Sequence, residues 1–226
     1  MPKESVMISV NLKKGEIYRT TIIKKNTNSL TRGITNHEIL RVKETSNNYF
    51  LVELEIERVV VNTNNNGQQV NYDSSKDESQ MSPSEKGLHS RFKPSLNTVI
   101  SENINKIGVS SNRKKVSGPL NAQMASQKTN FIQLPEQPIS VDYEWTQDVK
   151  NGKIELTYTY LVTEITPEKV YLECLGIPKG ALKGTVEGTI ELDRKTGIPV
   201  KKELKLDLNL SGQVIQTEVI TTIEKY

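Results

Sequence analysis

The chain has 226 residues, with 30 Lys and Arg against 27 Asp and Glu, a net charge of +3 and a pI near 8.8. Charge this balanced and scattered argues against the concentrated basic face of a nucleic-acid binder. Apolar residues make up 35% and aromatics 5%, below the roughly 45–50% usual for globular chains, so the core is expected to be thin or spread along sheets. No apolar run approaches the roughly 20 residues of a membrane-spanning helix, and the opening MPKESVMISV has no apolar signal core. The chain as given reads as soluble.

Strand patterns come first. Ser5–Val10, Glu16–Lys24, Ile34–Lys43 and Tyr49–Val61 are predicted strands; in the last, Phe50, Val52, Leu54 and Ile56 alternate with Glu53, Glu55 and Glu57, the period of a half-buried strand. The stretch Asn62–Gly67 ends in Asn-Gly, a strong hairpin signal, and Gln68–Tyr72 is the returning strand. Between 73 and 133 the alternation fades. Ser82-Pro83-Ser84-Glu85 predicts a helix start running to about Lys93, with Leu88 and Phe92 on one face and Pro94 as its end. Val99–Ile104 and Val109–Val116 predict a hairpin, and Pro119–Gln127, carrying Leu120 and Met124, a second short helix.

After Leu134-Pro135-Glu136-Gln137-Pro138 the alternation returns. Tyr143–Val149, Lys153–Ile165, Val170–Leu175, Ala181–Asp193, Pro199–Leu210 and Gln213–Glu224 are predicted strands. They are separated by Asn151-Gly152, a type I turn at Thr166-Pro167-Glu168-Lys169, Asp193–Gly197 and Ser211-Gly212. Most of these connections are too short for crossover helices, so the strands are antiparallel. Shifting by about 120 positions brings Leu40–Glu44 onto Tyr160–Glu164 and Phe50–Glu53 onto Val170–Glu173, which suggests two similar half-sheets. The expected organisation is mainly β (α+β): half-sheets at 1–72 and 134–226, and between them an irregular segment, 73–133, with short helices and a hairpin. All three belong to one compact domain.

Catalytic signatures are missing from this sequence. His37 and His89 lack the short spacing of zinc ligands, and no Gly-x-Ser-x-Gly elbow, phosphate loop or Cys-x-x-Cys pair occurs. Cys174, the only cysteine, has no activating neighbour in sequence and reads as a small strand residue. No catalytic residue, metal site or cofactor is expected. Glu53, Glu55, Glu57, Glu187, Glu191 and Asp193 lie on the polar sides of strands, where solvated charge is the ordinary role; a glycosidase-like pair needs two of them to converge. Arg113-Lys114-Lys115 and Lys201-Lys202 read as solvated basic clusters without the aromatics that stack bases. Trp145, the only tryptophan, is either a core anchor or part of a ligand cavity.

Leu134-Pro135-x-x-Pro138-Ile139-x-Val141 leading to Trp145, with Gly184-x-x-x-Gly188-Thr189 and Asp193-x-x-Thr196-Gly197, resembles a family of uncharacterised exported proteins of Gram-negative bacterial envelopes. That family usually carries a signal or lipoprotein leader, and a Gly-Asp pair where this chain has Asp142-Tyr143-Glu144 before the tryptophan. The resemblance implies a curved antiparallel sheet or half-barrel similar to the lipoprotein-carrier fold, holding acyl chains under a helical lid. If the sheet curls, Val186, Ile190, Leu192, Leu204, Leu206 and Leu208 line a concavity that Val52, Leu54, Ile56 and Trp145 extend. Leu88, Phe92 and Met124 serve as its lid. The expected function is noncatalytic binding of a lipid or lipoprotein acyl chain in the envelope or periplasm. The alternatives are an interaction module with a closed core and an envelope protein as partner, or a carboxylate-dependent hydrolase.

Overall fold

Strands dominate the computed structural model, which describes residues 4–26, 31–65, 68–96, 98–119, 129–151, 154–210 and 212–226. Those before the helix are β1 (Ser5–Val6), β2 (Ile17–Asn26), β3 (Thr31–Thr45), β4 (Tyr49–Asn65) and β5 (Gln68–Asp73). The helix is α1 (Pro83–Leu96), and β6 (Val99–Asn105), β7 (Ser110–Ser117) and β8 (Ile139–Ser140) follow it. The series ends with β9 (Glu144–Asn151), β10 (Ile154–Ile165), β11 (Lys169–Pro178), β12 (Lys183–Asp193), β13 (Pro199–Leu210) and β14 (Gln213–Lys225). β1 pairs with β8, and the other strands form one 12-stranded sheet. Its order is β7, β6, β4, β3, β2, β14, β13, β12, β11, β10, β9, with β5 beside the far end of β4. The described pairings are antiparallel, and the outermost strands β7 and β9 do not meet, so the sheet is open. The chain begins mid-sheet, builds outward to β7, passes to the opposite edge at β9, and builds back until β14 meets β2.

Alternation gives this sheet one apolar face, carried from strand to strand by the register. Leu54 stands opposite Leu40 and Ile100, Leu172 opposite Val162 and Ile190, and Val186 opposite Leu206. The chain covers that face with itself. Val6, Ile8, Val10 and Leu12 are 1–6% exposed, and with Ile132, Leu134 and Ile139 they join the sheet in the main core cluster. Main-chain bonds fix both covering segments: the Val10 amide donates to Lys106 O at 2.7 Å, that of Asn11 to Thr196 O at 2.9 Å, and that of Leu134 to Ile107 O at 2.9 Å. α1 closes a second cluster, where Phe92, Leu88 and Leu96 meet Ile56, Val61, Tyr72 and Ile100.

Two local expectations change. Ser5–Val10 pairs only through Ser5 and Val6, because its later apolar residues pack onto the sheet face instead of extending a ladder. The helix passes Pro94 and ends at Leu96. A proline in the last turn forfeits one helical hydrogen bond, and the burial of Ser95 and packing of Leu96 offset it. Its start is where expected, and Ser82 and Glu85 close it as a capping box: the Ser82 amide donates to Glu85 Oε2 at 2.7 Å and the Glu85 amide to Ser82 Oγ at 3.3 Å. The predicted helix carrying Leu120 and Met124 lies outside the described residues.

Glycines mark where the covering segments press on the sheet's turns. A Cβ added at Gly108 (φ +81°) would stand 2.3 Å from Ile132 O, and at Gly197 (φ +65°) 2.6 Å from Ser9 O; at Gly15 (φ +87°) it meets open space. Gly15→Ala is therefore expected to cost about 1 kcal/mol from backbone strain alone, and Gly108→Ala or Gly197→Ala about twice that or more. Urea unfolding of the three variants measures this, and equal losses would mean that the covering segments are not seated on these turns.

Candidate functional site

Charged groups stand on the apolar face as well. Glu38 is 1% and Glu102 0% exposed, and Glu102 accepts from Ser110 Oγ at 2.5 Å and Arg113 Nη1 at 3.2 Å. The sequence reads Lys201-Lys202 as one solvated cluster, but alternation splits it. Lys201 points to the other face and pairs with Glu203 at 2.9 Å. Lys202 is the register partner of Ile190 and Thr221, and its ammonium donates to Asn130 O at 2.8 Å. Although the residue as a whole is half-buried, that ammonium is enclosed. Enclosure pushes its pKa down to about 8, with Cys174 and Glu38 opposing the shift. Burial pushes the Cys174 thiol up to about 11, which keeps it unreactive.

Trp145 works beside Lys202 in holding the chain over the sheet. Its indole N–H donates to Gln133 O at 2.9 Å, and its ring stacks on Tyr160 with centroids 5.1 Å apart. The Gln133 amide donates to Gln147 Oε1 at 3.2 Å. These two, the bonds of Lys202 to Asn130, and that of Leu134 to Ile107 fasten residues 130–134.

The strand residues assigned to a cavity share one face and fall into three clusters. Val52, Leu54, Ile190 and Leu192 belong to the main core, with Trp145 and Leu204 at its margin. Ile56 packs with Leu88 and Phe92 of α1, and Val186 and Leu208 pack with Leu204 and Leu206. Met124 lies outside the described residues. A void of about 20 Å³ remains between Leu54, Tyr18 and Phe131, room for about one water.

A far larger space lies on the opposite face. There β9–β14, six adjacent strands, bear a depression of about 870 Å³. Leu161, Leu175 and Ile220 line it from that face together with Thr159 and Thr189, and so do Glu144, Glu173, Glu187, Glu203, Glu218 and Lys205; Cys174, Gly188, Leu204 and Val219, which alternation assigns to the core side, also border it. Sequence reasoning missed this site. Its signal was Leu161 and Leu175, apolar residues at positions that alternation assigns to the polar side; Leu175 is 41% exposed.

The same face carries cross-strand ion pairs over β2–β4: Arg41–Glu55 at 2.6 Å, Lys43–Glu53 at 3.3 Å and Arg19–Glu57 at 3.4 Å. Around the depression, Glu144, Glu173, Glu187 and Glu218 form no ion pair among the described residues. His37 Nδ1 lies 3.2 Å from Thr21 Oγ1, and His89 Nδ1 lies 3.2 Å from the Tyr72 hydroxyl. No group of three His, Cys, Asp or Glu is placed to hold a metal among the described residues. No described helix is long and apolar enough to cross a membrane. Comparison with known protein families finds no matching model, and a search of curated proteins finds no match.

Lys202 gives a pH test of the filled face. Its folded pKa of about 8 lies below the ordinary 10.5, so between those values the folded chain binds fewer protons than the unfolded one. Its contribution to stability therefore rises with pH across that window. Relative to Lys202→Met, the wild type is expected to gain up to about 3 kcal/mol between pH 7 and about pH 10.5. Taking the difference between the two proteins removes most of the opposing titration of Cys174, which desolvation dominates. Denaturant unfolding measures it, and a difference that stays flat would place the ammonium in water.

Proposed function

We propose that the protein is a noncatalytic binding protein of the bacterial cell envelope that holds a hydrophobic ligand, of lipid or acyl-chain type, over β9–β14. The observation that carries this reading is the depression of about 870 Å³. Its volume falls within the roughly 300–1,000 Å³ typical of ligand sites, and aliphatic side chains stand where alternation would put polar ones. The filling of the opposite face by residues 6–12 and 131–139 supports the same choice. Envelope placement rests on the resemblance carried by the Leu134–Trp145 stretch, and the noncatalytic part on the missing nucleophile, phosphate-loop and metal-ligand patterns.

In this reading the sheet is an open half-barrel of two similar halves that meet at β14 and β2. Features 120 to 127 residues apart support it. The register shifts between Val42 and Glu44 in β3, and between Val162 and Glu164 in β10. The turn after each strand is built alike: Ser46 N donates to Tyr49 O and Thr166 N to Lys169 O, both at 2.9 Å. In each, the first residue's hydroxyl accepts from the amide three residues on, at 3.0 and 2.9 Å. Gly15 and Asp142, both with positive φ, precede β2 and β9 and donate to Val42 O and Val162 O at 2.9 Å.

A second reading is favoured by the open edges at β7 and β9: an interaction module that adds a partner's strand. Native mass spectrometry of gently purified protein, with organic extraction, separates the two. The binding reading expects a reproducible lipid-like adduct that disappears in Leu175→Asp, a change at an exposed position that leaves the fold intact. An adduct-free mass, under conditions that keep lipid on a known carrier, favours the interaction module.

A further inference from the structure

The correspondence between the two hairpins shows how the outer face of β9–β14 differs from that of β2–β4. In the β3–β4 hairpin that face is neutralised internally, Arg41 meeting Glu55 and Lys43 meeting Glu53. The positions 120 residues on are Leu161, Leu175, Thr163 and Glu173. One ion pair has become a pair of leucines, and the other has kept its carboxylate and lost its cation. Glu173 is joined around the depression by Glu144, Glu187 and Glu218, none ion-paired among the described residues. Lys205, across the strands from Glu187 and Glu218, is the one cation among the described residues of the lining.

We infer that the ligand of the depression is an amphipathic cation, an aliphatic chain bearing an ammonium or guanidinium group. This deepens the proposed function and rests on the depression being the binding site. The chain lies on Leu161 and Leu175, where burial of apolar surface drives binding. The cation takes the place that Lys43 holds beside Glu53 and neutralises Glu173 and Glu187. An anionic amphiphile of the same length meets repulsion from the same carboxylates, and like-charge juxtaposition is a strong source of discrimination.

Isothermal titration with dodecylammonium and dodecanoate, each below its micelle-forming concentration and at low ionic strength, tests this. Dodecylammonium is expected to bind about tenfold more tightly or better, with an affinity that falls as salt is added. Leu161→Arg with Leu175→Glu installs the ion pair that the other hairpin already carries and is expected to abolish binding. Should that variant fail to fold, Glu173→Gln with Glu187→Gln, both at exposed positions, is expected to erase the preference for the cation. Equal binding of the two probes, lost in the Leu161→Arg/Leu175→Glu variant, overturns the cation inference and leaves the apolar-ligand reading standing. Binding of neither probe, or binding that persists in that variant, overturns both.

Discussion

An open sheet of 12 strands has an apolar face that must leave water, and the rest of this structure depends on how that is done. The chain lays its own extended segments there. Burying Val6, Ile8, Val10 and Leu12 contributes roughly 1.5–3 kcal/mol each, about 6–12 kcal/mol in all. Ordering the backbone of residues 6–12 costs about 1–2 kcal/mol per residue, roughly 7–14 kcal/mol. The two nearly cancel. What decides the balance is the hydrogen bonds of Val10 and Asn11 to the turns at Lys106 and Thr196, worth about 0.5–1.5 kcal/mol apiece, and the glycines that let the backbones approach. Residues 130–134 are held on similar terms, with side-chain bonds from Lys202 and Trp145 in addition.

The strands were legible because alternation is local. Pro199–Leu210 was predicted with the bounds it has, and the hairpin after the helix to within a residue or two. Alternation also held information that a reading by charge overlooked. Lys202 falls in step with Leu204, Leu206 and Leu208, and Glu38 in step with Leu40 and Val42, so both were assigned to the buried side by the same count that assigned the leucines. The pairing of β14 with β2 was hidden, because it joins Glu224 to Arg19 across nearly the whole chain. The role of Val6–Leu12 was hidden for a different reason. An alternating segment packed on a sheet looks the same in sequence as one hydrogen-bonded within it.

The depression was missed for a related cause: it is made by six strands lying side by side, and the only hints in single strands are Leu161 and Leu175 on their polar sides. The neighbouring strands show the same face without it. Over β2–β4 the carboxylates find lysine and arginine across the strands, which keeps the surface soluble and close to neutral. Around the depression stand leucines, and glutamates that form no ion pair among the described residues, so that part of the face is less neutral. The two faces therefore differ, one filled by the chain itself and the other bearing an open depression.

That division is tested most directly by amide hydrogen exchange, followed residue by residue by NMR. With the apolar face filled by the chain, the amides of Val10, Asn11 and Leu134 are protected to within about tenfold of those in β2 and β14. Exchange of these three at the rate of an unstructured peptide, while the sheet stays protected, would show that the covering segments open. The apolar face would then be open rather than filled, contradicting the account.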